Sequence, residues 1–161
     1  MKFNHIGIFV KTLNEGREHI SNVFNIKKLS QEFHDKSLKV STQFITDKSD
    51  ITYEIVAPFG TNNPVDKVLN KNKNILNHVA YTTNQFDKEI QKLRNCGCAP
   101  LGAAQKSLAF NYSKVIFFLT PLNFLLIYLF FFLLFFFLCQ FIFIVINFNK
   151  SADINTHILI S

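Results

Sequence analysis

Cysteine is scarce in this chain: Cys96, Cys98 and Cys139 make an odd count with no CxxC spacing. That excludes a disulfide framework and fits a reducing compartment. The motifs GxGxxG, the Walker loop, GxSxG and HExxH are all missing. Nucleotide binding through a Gly-rich loop, serine hydrolysis and zincin-type proteolysis therefore have no foothold. No basic run with interleaved aromatics occurs, and the net charge of +6 is spread thinly over the first 114 residues. A solvated basic face explains it, and nucleic acid is not expected as a partner. The opening "MKFNHIGIFVKTLNEG" soon turns charged, so no secretory signal is expected.

Charge is also absent from Val115 to Asn149, and acidic residues are absent from Asn111 to Lys150. Within that stretch lies "FLLIYLFFFLLFFFLCQFIFIVI", 23 residues interrupted only by Tyr128, Cys139 and Gln140. By length and hydropathy it reads as a transmembrane helix, because roughly 20 apolar residues span a bilayer core. The rival reading is a phenylalanine-rich altered terminus joined to a soluble fold, and the abrupt onset favours it. The expected organisation is a folded domain over 1–129, a hydrophobic tract over 130–149 and a polar tail over 150–161. Localisation is expected to be cytoplasmic or, if the tract is an anchor, at a membrane with the domain on the cytoplasmic side.

What the chain does contain is a repeated phrase. "FNHIGIFV" from Phe3 returns as "LNHVAYTT" from Leu76, each an Asn-His pair opening an apolar, strand-like run. After the first, Thr12 and Glu15 have capping-box spacing, and Leu13, Gly16, Ile20, Val23 and Phe24 recur at helical intervals over about 13–25. "KKLSQEFH", "LKVSTQFIT" and "ITYEIVAPF" then read as three strands between polar turns. After the second phrase, Asn84 and Asp87 mark a helix start, Phe86, Ile90 and Leu93 form its stripe, and Gly97 stops it. "APLGAAQ", "KVIFFLT" and "NFLLIYL" complete a second strand set, and Pro64 opens a short linking helix between the halves. The fold class is thus α+β, two βαβββ modules about a pseudo-twofold axis. Pairing of the modules within one chain, or between the chains of a homodimer, stays open at this point.

Equivalent strand positions for His5 and His78 would bring two imidazoles to one place. Neutral imidazole is a good ligand for first-row divalent ions, and one carboxylate beside the pair leaves positions open for substrate. Glu54, in the apolar "TYEIVAP", is the natural carboxylate, since a buried unpaired charge costs several kcal/mol by order of magnitude. His5, Glu54 and His78 are therefore the expected metal ligands. His19, His34 and His157 have no echo and are assigned to surface or helix roles. Glu54 follows His5 by 49 positions, and the same interval from His78 reaches Ile127, beside Tyr128, with no acidic residue nearby. A fourth ligand is missing there.

These residues, "NHIGIFV", "YEIVAP", "LNHVAYTT" and "KVIFFLTPLNFLLI", give the chain a look that resembles the vicinal oxygen chelate superfamily over about residues 3 to 128. That group includes glyoxalase I, methylmalonyl-CoA epimerase, extradiol dioxygenases and bleomycin- or fosfomycin-resistance proteins, and the look is closest to the epimerase. The resemblance implies that the paired modules form a cupped mixed sheet around a divalent metal (cobalt, manganese, zinc or nickel) held by His5, Glu54 and His78. It implies a small carbonyl or acyl-thioester ligand, and isomerase or lyase chemistry through an enolate. It places Tyr128 where epimerase-like members carry a glutamate that is both ligand and base, and Ser41, with Gln43 nearby, where they carry the other base. The alternative it leaves is a non-catalytic ligand-binding protein of the same fold, as in the resistance proteins.

Overall fold

The computed structural model describes residues 1–70, 75–122 and 125–130. The first half runs β1 (Lys2–Phe9), α1 (Leu13–Val23), β2 (Ile26–Leu29), β3 (Phe33–Asp35), β4 (Val40–Asp47) and β5 (Thr52–Pro58). A linking helix, α2 (Pro64–Leu69), follows. The second half repeats the order as β6 (Ile75–Thr83), α3 (Phe86–Asn95), β7 (Ala99–Pro100), β8 (Gln105–Ser107), β9 (Ser113–Leu119) and β10 (Leu125–Phe130). One 3-10 turn, Leu108–Phe110, sits between β8 and β9.

Local chemistry accounts for most of the boundaries. Thr12 caps α1, its hydroxyl oxygen accepting from the Glu15 N–H at 3.1 Å. Asn63 caps α2 in the same way, accepting from Asp66 N at 2.8 Å, with Pro64 in the first turn where no N–H is needed. Gly97, at φ +80°, closes α3 as its own N–H and that of Cys98 return to the carbonyls of Arg94 and Leu93. The start of α3 differs from the sequence reading: its N-cap is Gln85, which makes no side-chain cap, while the Thr83 hydroxyl accepts from Gln85 N. The strands expected over "KKLSQEFH" and "APLGAAQ" are each broken into two short pieces, β2 with β3 and β7 with β8.

The strands form one mixed sheet in the order β2-β4-β5-β1-β6-β10-β9-β7, with β3 added to β4 and β8 to β9. β5 lies parallel to β1 and β10 parallel to β6, while β1 and β6 pair antiparallel at the centre. The modules thus meet within one chain. Displacement by 73 positions carries one half onto the other, core included. Leu13, Ile20, Ile45, Tyr53 and Ile55 of the cluster under α1 correspond to Phe86, Leu93, Phe118, Leu126 and Tyr128 of the cluster under α3. Each helix covers the outer face of its own half-sheet, which leaves the inner faces to line the cup.

β10 extends to Phe130, which pairs with Thr83, so the first residue of the expected tract is strand. The rest of that tract and the polar tail, with Cys139 and His157, lie outside the described residues. Among the described residues no helix is long and apolar enough to cross a membrane.

Candidate metal centre

Strands alternate their side chains between faces, so neighbours such as Asn4 and His5 ordinarily point apart. Here the β1–β6 register slips between Phe3 and His5, and again where Gly7 pairs with His78 and Ile8 with Leu76. The unpaired extra residues are Asn4 on β1 and Asn77 on β6. Each Asn-His phrase is therefore a β-bulge, a device that re-aims side chains. The asparagine side chain reaches the imidazole that follows it: His5 Nδ1–H donates to Asn4 Oδ1 at 2.6 Å, and His78 Nδ1–H to Asn77 Oδ1 at 3.0 Å. That bond fixes the tautomer and leaves the Nε2 lone pair facing inward.

Both lone pairs face the same point. His5 Nε2 and His78 Nε2 are 3.2 Å apart, and Glu54 Oε2 is 3.1 Å from the first and 3.2 Å from the second. All three residues are buried. Ligands about 2.1 Å from a common ion and at right angles to one another would be about 3.0 Å apart, so the triangle fits a divalent cation. Among the described residues these three form the group of His, Cys, Asp and Glu that could hold a metal ion. Burial by itself would raise the Glu54 carboxyl, but when the imidazoles carry a proton at Nε2, with no metal in its place, their hydrogen bonds and charge hold it down at about 2.

Two neighbours shape the centre. Gly7 pairs with His78 across β1 and β6, and a Cβ at position 7 would lie 1.9 Å from Cε1 and 2.1 Å from Nε2 of that ring. Only glycine leaves the imidazole its place. Phe110 stacks on His5, with centroids 5.6 Å apart and planes 11° from parallel, and Phe44 meets the ring edge-on. Phe110 ends the 3-10 turn that Asp35 ties down, its Oδ2 accepting from Leu108 N at 3.3 Å. The other Asp35 oxygen accepts from Ser37 N, the Ser37 hydroxyl and Leu38 N. Burial pushes the Asp35 carboxyl up, yet these bonds bring it below its usual value.

Glu54 and His78 open onto a cavity of about 380 Å³ between the two inner faces. The structure brings His5, Glu54 and His78 together, and it moves the other candidate positions. Tyr128 is not at the fourth corner. Its counterpart under the 73-residue displacement is Ile55, its hydroxyl donates to Met1 Sδ at 2.8 Å, and it belongs to the core beneath α3. Burial, with Glu89, Tyr81 and Cys98 nearby, raises its phenol to about 12, so it is no phenolate ligand. Ile127 takes the equivalent place. It pairs with Ala80 as Glu54 pairs with Gly7, and with Phe117 as Glu54 pairs with Phe44. Ser41 and Gln43 also face away from the cup: Ser41 Oγ bonds His34 Nδ1 at 2.8 Å, and Gln43 bonds Arg17 and the Ser30 carbonyl. Thr42, between them, lines the cavity. His34 is half-exposed and His19 is exposed on α1.

Comparison with known proteins agrees with this architecture. A model of the Glyoxalase/Bleomycin resistance protein/Dioxygenase superfamily matches residues 4–117. The chain is 29% identical over 92 residues to the uncharacterized protein YqjC of Bacillus subtilis, covering 57% of this chain and 64% of that protein. Among solved structures, methylmalonyl-CoA epimerase from Mycobacterium tuberculosis superimposes with a TM-score of 0.67 at 19% identity, over 80% of this chain and 87% of the other. A Streptomyces coelicolor methylmalonyl-CoA epimerase in complex with 2-nitronate-propionyl-CoA gives 0.66 at 17% identity, over 81% and 96%. At such identities the likeness is one of fold.

Proposed function

The chain belongs to the glyoxalase/bleomycin resistance protein/dioxygenase superfamily, and from that membership we propose that it binds a divalent metal ion through His5, Glu54 and His78. An ion held there would supply an attachment point for a small carbonyl or acyl-thioester ligand. One observation carries this reading. With both imidazoles neutral and their Nδ1 protons committed to Asn4 and Asn77, three electron-rich atoms face one another at 3.1–3.2 Å with no proton among them. In a buried, low-dielectric site such a triangle calls for a cation. A nitrogen and oxygen donor set suits cobalt, manganese, zinc or nickel.

When bound, the ion polarises a carbonyl as a Lewis acid and eases removal of a proton from the adjacent carbon. Isomerase or lyase chemistry through an enolate is the reaction type this supports. The chain's own residues set a limit on it. Epimerisation needs a base on each face of the reacting carbon, but the cup offers Thr42 and Ile127 at the two relevant walls. Its other carboxylate, Asp35, is occupied by four hydrogen bonds. Two-base epimerisation is therefore not what these residues serve. Ile127 favours a second reading: ligand binding in the cup without turnover.

The test begins with manganese. Uptake of one ion per chain, lost in His5→Ala and in His78→Ala, is the expected result, and absence of uptake by the wild type overturns the reading. Deuterium exchange at the α-carbon of propionyl-CoA by the metal-loaded protein then separates catalysis from binding alone.

A further inference from the structure

The two inner walls of the cup are symmetric in backbone and unlike in chemistry. The first module presents Thr42, Glu54 and Val56; the equivalent places in the second hold Val115, Ile127 and Leu129. Val115 and Ile127 form one dry cluster with Ala80 and Leu129, flanked by Phe110 and Phe117. Among the described residues no lysine or arginine lines the cavity, and the carboxylates that line it are those of Glu54 and Asp35. Thr42 is 6% exposed, and its hydroxyl is one of two buried side-chain polar atoms with no hydrogen-bond partner among the described residues. A buried hydroxyl left unpaired is costly, and a ligand acceptor would remove that cost.

Resting on the reading of the cup as a ligand site, we propose that it selects a ligand with one neutral oxygen-bearing end and a compact, uncharged hydrocarbon body. The carbonyl oxygen lies toward the first module, where rotation about the Thr42 Cα–Cβ bond offers its hydroxyl as donor. The hydrocarbon body packs against Val115, Phe117 and Ile127. In the metal-free cup a carboxylate on the ligand is rejected, because no cationic side chain among the described residues of the cup would meet it and desolvation would go uncompensated. Thr42 is thus a specificity-determining residue, and the selection operates on neutral acyl or aryl-ketone groups. A cavity of about 380 Å³ is in the range of small-molecule sites.

The experiment uses the full chain freed of metal by a chelator, so that it reads the walls and not the ion. Three probes on a shared phenyl-propyl frame are compared by calorimetry: propiophenone, its alkene isostere 2-phenyl-1-butene, and 3-benzoylpropionate, which is propiophenone extended by a terminal carboxylate. Propiophenone is expected to bind about tenfold tighter than the alkene and at least about tenfold tighter than the carboxylate. It should shift the methyl NMR signals of Val115 and Ile127. Thr42→Val, which keeps the side-chain volume, is expected to erase the ketone preference while leaving alkene affinity within about twofold. Equal binding of 3-benzoylpropionate, an undiminished ketone preference in Thr42→Val, or no methyl shift at either residue would overturn the proposal. Manganese uptake is measured separately, so a protein that takes no metal yet keeps this probe pattern refutes the metal reading and supports the selection.

Discussion

Replacing Gly7 by alanine should disable the proposed metal centre through a single methyl group. The added Cβ would lie 1.9, 2.1 and 2.3 Å from three atoms of the His78 ring, where ordinary contact begins near 3.4 Å. The imidazole must therefore retreat by about 1.5 Å, whereas metal sites tolerate only about 0.2 Å of error in ligand distance. Losing groups that merely orient a ligand costs 10–100-fold in affinity. Losing the ligand itself should cost at least about 100-fold, or about 2.8 kcal/mol. Manganese titration followed by electron paramagnetic resonance reads the affinity, and denaturant unfolding in chelator reads the fold. A double-mutant cycle isolates the contact: in a His78→Ala background there is no ring to strike, so Gly7→Ala should cost almost no stability. If Gly7→Ala binds manganese within threefold of the wild type, or if its destabilisation persists in the double variant, the placement of His78 against Gly7 is wrong.

Three further outcomes are expected. Asn4→Leu and Asn77→Leu should each weaken manganese binding by about 10–100-fold, because the freed imidazole can turn its protonated nitrogen inward; unchanged affinity would show that the bulge asparagines do not set the tautomer. Ile127→Glu places a carboxylate in the cup opposite Glu54 and should tighten metal binding by at least about tenfold, whereas Tyr128→Glu buries an unpaired charge under α3 and should destabilise the fold without that gain; thermal unfolding with and without manganese distinguishes them. The Glu54 carboxyl is lowered from 4.5 to about 2, so the unfolded chain binds more protons between those values. Metal-free protein should therefore hold this contribution above pH about 4.5 and lose it as pH falls toward about 2, and Glu54→Gln should lack that phase in acid titration.

The repeated phrase and the in-strand glutamate made His5, Glu54 and His78 legible, because a displacement of 73 residues is visible in the letters alone. What misled at Tyr128, Ser41 and Gln43 was a slip of one residue in each case, which in a strand turns a side chain to the opposite face. Alternation would have corrected it, but it is lost at both places: β4 is buried without a break from Ser41 to Gln43, and β10 from Leu126 to Leu129. Asn4 and Asn77 stood in the repeated phrase from the outset. Their role was hidden because neighbouring strand residues are read as facing apart, and a bulge in the pairing leaves no mark in composition. The short break between β2 and β3 escaped for a simpler reason: polar residues, Ser30 to Glu32, continue through it.

The placement of one imidazole on β1 and the other on β6 gives the ion a mechanical part as well. It would act as a clasp across the seam between the halves, adding to the β1–β6 pairing, the Asp35–Leu108 hydrogen bond and the stack of Phe110 on His5. Metal-loaded protein should then open as a single unit, while the stripped protein is free to part along that seam first.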